Sequence, residues 1–434
     1  MSDAPEPSVE AGGARATPRR GPDSVRRSLS WTLFGELSFA LSQWLSYMII
    51  AKLGTPEALG RYSLGFAVAT PIVIAASLHL RPIYVVDVRS RWGFADFLGL
   101  RSVLLPLALT LVAAVCLLRG WPWQTAVVVM LVGVVRVSES ASDIYYARAQ
   151  RAETMDPIGI SRALRGVWSI GLLALGLALT DDDVIALALV AAAMLLHTLL
   201  YDRRKAAAIE VPGDPTGGSL RPRFRAESLR SLLREALPVG VAATLLALTA
   251  NSPAYVLEQR HGLAAVGILA AVMSIRQVSS VINMALGSAA IARLAKLSID
   301  NARGFWRLLG KLLAVVLTLN GLGLIVIVLF GDLYLRYGYT PEYEPYVPQL
   351  VLASIAAVVL GLSNILSQTL TALSQFRMQL WINLVVVGVA AALSMWWIPA
   401  RGLDGAVDTA LSVACLRFVI YVAANLILGP RTKA

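Results

Sequence analysis

Residues 29–53 read LSWTLFGELSFALSQWLSYMIIAKL, residues 54–62 read GTPEALGRY, and residues 63–86 read SLGFAVATPIVIAASLHLRPIYVV. The first and third stretches are each long and apolar enough to cross a bilayer core of about 30 Å, which takes about 20 helical residues. The middle stretch is short, so the chain crosses, turns and returns. Neither crossing is purely apolar. Thr32, Glu36, Gln43 and Tyr47 share one sector of the first helix, and Ser63, Thr70, Ser77 and Arg81 share one sector of the second. Hydrocarbon offers such side chains no partner, so each stripe faces another helix or a water-filled cavity. A single stripe fits either reading. Stripes that recur along the chain favour a lined path.

The 434 residues are 57% hydrophobic and 15% charged. A soluble domain carries about a quarter charged residues, so the chain reads as an all-α polytopic membrane protein with about twelve transmembrane helices. Cys116 and Cys415 lie in apolar runs, and His79, His197 and His261 are scattered. Neither set has disulfide or metal-ligand spacing, so no metal and no cofactor are expected. The first 25 residues are rich in Pro, Gly and Ala and read as a disordered tail. They hold no apolar run of signal-peptide type.

The net charge of +11 has a topological explanation. With the N-terminus inside, the inner loops and tails hold about 25 of the Lys and Arg residues and the outer loops about six. Both termini are therefore expected in the cytoplasm. The excess charge serves orientation and anionic lipid, and nucleic acid is not an expected partner.

The longest break, residues 202–236, is basic at both ends and Pro/Gly-rich between them. Within it, SLRSLLREAL has the pattern of a short amphipathic helix on the inner leaflet. It divides the chain into a tail (1–25), a six-helix lobe (26–202), a cytoplasmic linker (203–235) and a second six-helix lobe (236–430). The halves echo each other weakly. GTPEALGRYSLGFAV after the first crossing corresponds to QRHGLAAVGILAAVM after the seventh, which matches Gly60 with Gly267. Repeats with an even number of crossings run parallel, related by an axis along the membrane normal. Two lobes around a central cleft follow.

Several ionisable residues fall inside this frame. In the fourth crossing Arg136, Glu139, Ser140 and Asp143 share a face. Arg136 and Glu139 form either a structural pair or part of a charged cavity wall. In the eighth, Arg276, Ser280, Asn283 and Gly287 form a stripe, and no acidic residue lies within a turn of Arg276. An isolated central Arg costs about 2.5–3.5 kcal/mol on insertion scales, so Arg276 needs an anion from another helix or from a ligand. Arg162 and Arg165, near the inner end of the fifth crossing, either snorkel or form an inner rim that meets a phosphate. Arg81 and Asp87 close the second crossing, where a rim ion pair is also possible. Asn364, Ser367, Gln368, Thr371 and Gln375 form an uncharged stripe suited to helix–helix hydrogen bonds. Pro253 and Pro71 are expected to kink their helices. Burial and nearby cations act in opposite directions on Glu36, Glu139 and Asp143, which makes them candidates for conformational coupling. No Walker A loop, dinucleotide fingerprint or HExxH motif is present. Enzyme chemistry is not expected, and movement of a substrate would draw on ion gradients, membrane potential or the substrate's own gradient.

Four stretches together carry a resemblance: AKLGTPEALGRYSLGFAVATPI, FGDLYLRYGYTPEYEPYVPQLVLASI, LGLSNILSQTLTALSQFRMQLWINLVV and GLDGAVDTALSVACLRFVIYVAANLIL. They resemble corresponding segments of the bacterial polysaccharide flippases, the O-antigen and exopolysaccharide translocases. These are relatives of the lipid II flippase and of multidrug exporters. The resemblance covers nearly all of residues 26–428. It implies two six-helix bundles in a V with a cationic cavity, in the bacterial inner membrane. It also implies an undecaprenyl-pyrophosphate-linked oligosaccharide as substrate, flipped from the inner to the outer leaflet, with other polysaccharide assembly proteins as partners. The family has no strict catalytic motif to carry over. The expected substrate contacts, Arg276, Arg136 and Arg81, come from the stripes alone. A multidrug exporter of the same superfamily and a membrane glycan polymerase or ligase remain open. The short outer segment from Gly331 to Tyr346 leaves little room for the enzyme.

Overall fold

The computed structural model describes residues 22–87, 90–211 and 213–430. Most of the tail read as disordered lies outside them, as do Arg431 and Lys433. Thirteen α-helices carry the chain among the described residues: α1 (Pro22–Leu53), α2 (Pro56–Ser77), α3 (Leu80–Val86), α4 (Phe94–Arg119), α5 (Trp123–Arg151), α6 (Asp156–Thr180), α7 (Asp183–His197), α8 (Arg203–Ala207), α9 (Ala226–Met273), α10 (Ile275–Asp300), α11 (Ala302–Gly338), α12 (Val347–Ala372) and α13 (Phe376–Leu428). Nine helical segments among the described residues are long and apolar enough to cross a membrane. Two of these, Ala226–Gln277 and Arg377–Leu428, are 52 residues long and break at glycines with positive φ, Gly262 (+81°) and Gly402 (+56°). Each is a pair of crossings joined by a one-residue turn that an L-side chain would strain. Counting each pair twice gives eleven, with α10 completing the crossing that begins after Gly262, and α1, outside the nine, would be the twelfth.

Local chemistry places the boundaries. Thr55 caps α2 by accepting from Ala58 N, and Pro56 supplies its first turn. Asp182 caps α7 through Val184 N at 2.7 Å. Gly120, at φ +61°, ends α4 in the left-handed conformation common after helices. The departures from helical dihedrals in α9 and α13 fall at Gly262 and Gly402 rather than at Pro253 or Pro399. The second crossing breaks instead at Leu78 and His79, both left-handed, between α2 and α3.

α1 to α7 pack into one lobe and α9 to α13 into another, with α2 against α9 as the main seam. The glycines matched in the sequence echo meet at this seam. A Cβ on Gly60 would lie 2.0 Å from Leu263 O, and one on Gly267 would lie 2.1 Å from Pro56 O. Each glycine admits the opposite lobe's backbone, the close approach that small residues permit between membrane helices. The reciprocity is that of two related repeats.

Alternating crossings gather Arg91, Arg148, Arg151 and residues 203–211 and 213–225 at one end, the basic end. There Arg91 bonds Glu235 at 2.6 and 2.8 Å, Trp92 Nε1 donates to Ser231 at 2.9 Å, and Leu78 packs on Gly240. At the opposite end Trp44 Nε1 donates to Tyr334 OH at 3.0 Å, and Arg119 pairs with Glu258. The stretch read as a linker is docked rather than free. Asp214 accepts from Phe94 N, Arg148 donates to Gly218 O at 2.6 Å, and Arg223 N donates to Ala95 O at 2.9 Å. Its amphipathic part, residues 228–237, is the beginning of α9.

Candidate substrate cavity

The first lobe brings its ionisable candidates together in pairs. Arg162 on α6 pairs with Glu36 on α1, and Arg136 pairs with Glu139 one turn along α5. Arg81 on α3 bonds Asp143 on α5 at 2.9 Å and Gln150 at 2.8 Å. Arg81 and Asp87 are thus not partners of each other; Asp87 faces Arg91 at 3.4 Å. Six of the seven first-lobe residues expected as substrate contacts, rim or coupling groups form three neutral pairs, all partly exposed. Tyr146 sits between two of them, with the Arg81 and Arg162 guanidiniums 5.8 and 5.9 Å from its ring centroid.

Arg165 lies deeper. Its side chain is 3% exposed, and its fork reaches Ser142 at 2.7 Å, Thr198 at 3.0 Å, Ser138 at 3.1 Å and Asp202 at 3.4 Å. Asp202 also accepts from Ser161 at 2.5 Å and Ser142 at 2.6 Å. A π turn over Thr198–Asp202 extends α7 and aims Thr198 and Asp202 into this network. The hydroxyls and the carboxylate satisfy a charge that hydrocarbon could not. Arg165 is therefore an interior residue and does not form an open rim.

The second lobe is different. Among the described residues Arg276 on α10 has one side-chain contact of hydrogen-bond type, to Met273 Sδ at 3.9 Å, which is weak. It lines a cavity of about 440 Å³ formed mainly by α9, α10, α12 and α13 of the second lobe. A second guanidinium, Arg417 on α13, lines the same cavity. Arg417 lies over the Tyr421 ring at 5.5 Å, and its Nε is buried without a partner. Among the described residues no carboxylate lines the cavity. The first lobe contributes Tyr47, Ser63 and Ala67 to it. Arg136 and Arg81 are not on its wall.

At 1.5 Å per residue, Arg276 and Arg417 lie about 21 and 22 Å below the turns at Gly262 and Gly402, so they share one depth near mid-membrane. Two unpaired arginines at that depth are sustained by water or an anion. Planar forks facing one space suit a ligand with several phosphate-type oxygens.

Arg417 was readable by the rule that selects Arg276, since it is the sole charged residue between Asp408 and Arg431. The uncharged stripe on α12 divides. Ser367 bonds Tyr421 OH at 3.2 Å and Thr371 accepts from Gln379 at 2.9 Å, as helix glue, whereas Asn364 faces the cavity.

No family model matches the chain. In sequence it is similar to the capsular polysaccharide biosynthesis protein CapF of Staphylococcus aureus, 20% identical over 397 residues, or 91% of this chain and 97% of that protein. In structure it is similar to a multidrug resistance transporter of the MATE family, of the MOP superfamily, in its inward-facing conformation. The TM-score is 0.71 at 15% identity, over 91% of this chain and 98% of that one. It is also similar to the lipid II flippase MurJ in an inward closed conformation, with a TM-score of 0.70 at 12% identity, over 92% and 87% of the two chains. The chain has the two-lobe fold of these transporters.

Proposed function

We propose that this protein is an alternating-access transporter that flips an undecaprenyl-pyrophosphate-linked oligosaccharide from the inner to the outer leaflet of the bacterial inner membrane. The basic end faces the cytoplasm in this reading, following the positive-inside rule. The observation that carries it is the cavity wall: Arg276 and Arg417 face one space with no carboxylate among the described residues that line it. A lipid-linked diphosphate must pass through a medium that solvates charge poorly, and fixed cations at mid-depth lower that barrier. The similarity to a capsular polysaccharide biosynthesis protein supports the glycan. The fold is shared with multidrug transporters, but a cavity lined by two bare guanidiniums repels cationic drugs.

The paired acids of the first lobe, Glu36, Glu139 and Asp143, serve conformational switching in this scheme by exchanging partners as the lobes move. The test is glycan export by Arg276→Ala and Arg417→Ala proteins at wild-type abundance. Export should fall in both, and lipid-linked precursor should accumulate in the inner leaflet. Wild-type export by both would remove this cavity from the substrate path.

A further inference from the structure

Two carboxamides on the cavity wall, Gln277 on α10 and Asn364 on α12, have no side-chain hydrogen-bond partner among the described residues. Their polar neighbours are committed elsewhere. Asn251 donates to Ala247 O at 2.7 Å, Ser280 to Gln277 O at 2.8 Å, and Asn283 accepts from Asn320 at 3.0 Å. Both amides are half-buried, so water can meet them in the open cavity. A ligand that displaces this water must replace its hydrogen bonds, and two such groups beside two guanidiniums define what that ligand must offer.

The chemistry of the four groups divides the wall. A guanidinium only donates, which fits phosphate oxygens. A carboxamide offers two donors and one acceptor, which fits a group that itself both donates and accepts, such as a sugar hydroxyl or acetamide. Gln277 follows Arg276 directly in α10. Counted from the turn at Gly262 and from the start of α12, Gln277 and Asn364 lie at depths of about 22 and 26 Å, within one helical turn of the arginines. A ligand that satisfies all four groups carries an anion next to neutral hydroxyls.

We infer that Gln277 and Asn364 form a second subsite that reads the first sugar attached to the diphosphate, beside the phosphate subsite of Arg276 and Arg417. This rests on the transport reading given above. A site whose buried polar groups pair with a substrate hydroxyl discriminates against the analogue that lacks it, because its own groups are then left unmatched. The amides therefore set sugar selectivity, while the arginines bind the part common to all such carriers.

The experiment measures binding to the full chain in lipid nanodiscs. The probes are a short-chain polyprenyl diphosphate, bare or carrying one sugar from a panel of hexose, N-acetylhexosamine and hexuronic acid. Wild-type protein should bind at least one sugar-bearing probe about tenfold more tightly than the bare diphosphate, the effect of one or two net hydrogen bonds. Gln277→Leu and Asn364→Leu should lose that increment and keep the affinity for the bare diphosphate. Gln277→Ala and Asn364→Ala repeat the test without added bulk. Arg276→Gln should weaken both probes equally. An increment that survives in the Leu and Ala variants, or no increment in wild type for any sugar, overturns the sugar subsite and leaves the phosphate site standing. Wild-type protein that binds no diphosphate overturns the cavity reading itself, and the sugar subsite with it.

Discussion

The two lobes treat the arginines expected at the site in opposite ways, although Arg101 of the first lobe is also buried with two nitrogens unmatched. In the first, Arg162, Arg136 and Arg81 each face a carboxylate, and Arg165 is enclosed by three hydroxyls and Asp202. In the second, Arg276 and Arg417 line one cavity and face no carboxylate among the described residues. A paired charge in a poorly solvating medium holds helices in register, and it can re-pair when they move. An unpaired charge gains most from something that arrives. In the proposed transport reading, one lobe holds shape and switches and the other binds.

The largest expected effect comes from making the second lobe like the first. Arg276→Glu places a carboxylate beside Arg417, where the two can pair. The variant should accumulate normally and lose transport by at least about a hundredfold, since a charge-assisted contact worth about 3 kcal/mol is replaced by repulsion. Glycan export at matched protein level is the readout. Substantial export by this variant would end the division of labour between the lobes.

The reverse operation exposes a charge in the first lobe. Asp202→Asn leaves Arg165 buried without its carboxylate, and breaking such a pair costs about 3–5 kcal/mol. Thermal unfolding in detergent should show a marked loss of stability, with Arg165→Met/Asp202→Leu recovering part of it. A stable Asp202→Asn protein that fails only in transport would instead place this network in the coupling machinery.

Much of this contrast was legible in the sequence, for physical reasons that differ by residue. Arg136 and Glu139 are three apart on one helix, so their pairing follows from helical geometry. The bareness of Arg276 was readable because no acid lies within a turn. The Gly60–Gly267 match pointed to the seam where those residues meet. The partners of Arg81, Arg162 and Arg165 lie on other helices, and sequence spacing carries no information about which acid faces which base across a gap. Asn364 is likewise indistinguishable in the sequence from Ser367 one turn on, although one faces the cavity and the other bonds Tyr421. What separates them is which neighbour each meets once α12 is packed, a tertiary property.

The smallest expected effect concerns Arg81 and Asp143, and it sharpens the comparison most. Their side chains are 18% and 37% exposed, so solvent screens the pair. A double-mutant cycle with Arg81→Gln and Asp143→Asn should return a coupling of about 0.5–1 kcal/mol in thermal stability, decreasing with added salt. Beneath Asp143 lies Arg101, 3% exposed, which bonds Ser140 at 2.9 Å while its Nε and one Nη have no partner. Asp143→Asn therefore takes the carboxylate from the neighbourhood of two cations, and it should be the more damaging of the single changes. If pairing is the whole role of Arg81, Arg81→Gln/Asp143→Asn should transport better than Asp143→Asn alone, because removing a cation relieves the repulsion that the lost carboxylate left behind. If Arg81 touches the diphosphate, Arg81→Gln should impair transport at unchanged stability, and neutralising Asp143 should not restore it. That second outcome would extend the binding surface into the first lobe and break the contrast where its charges are weakest.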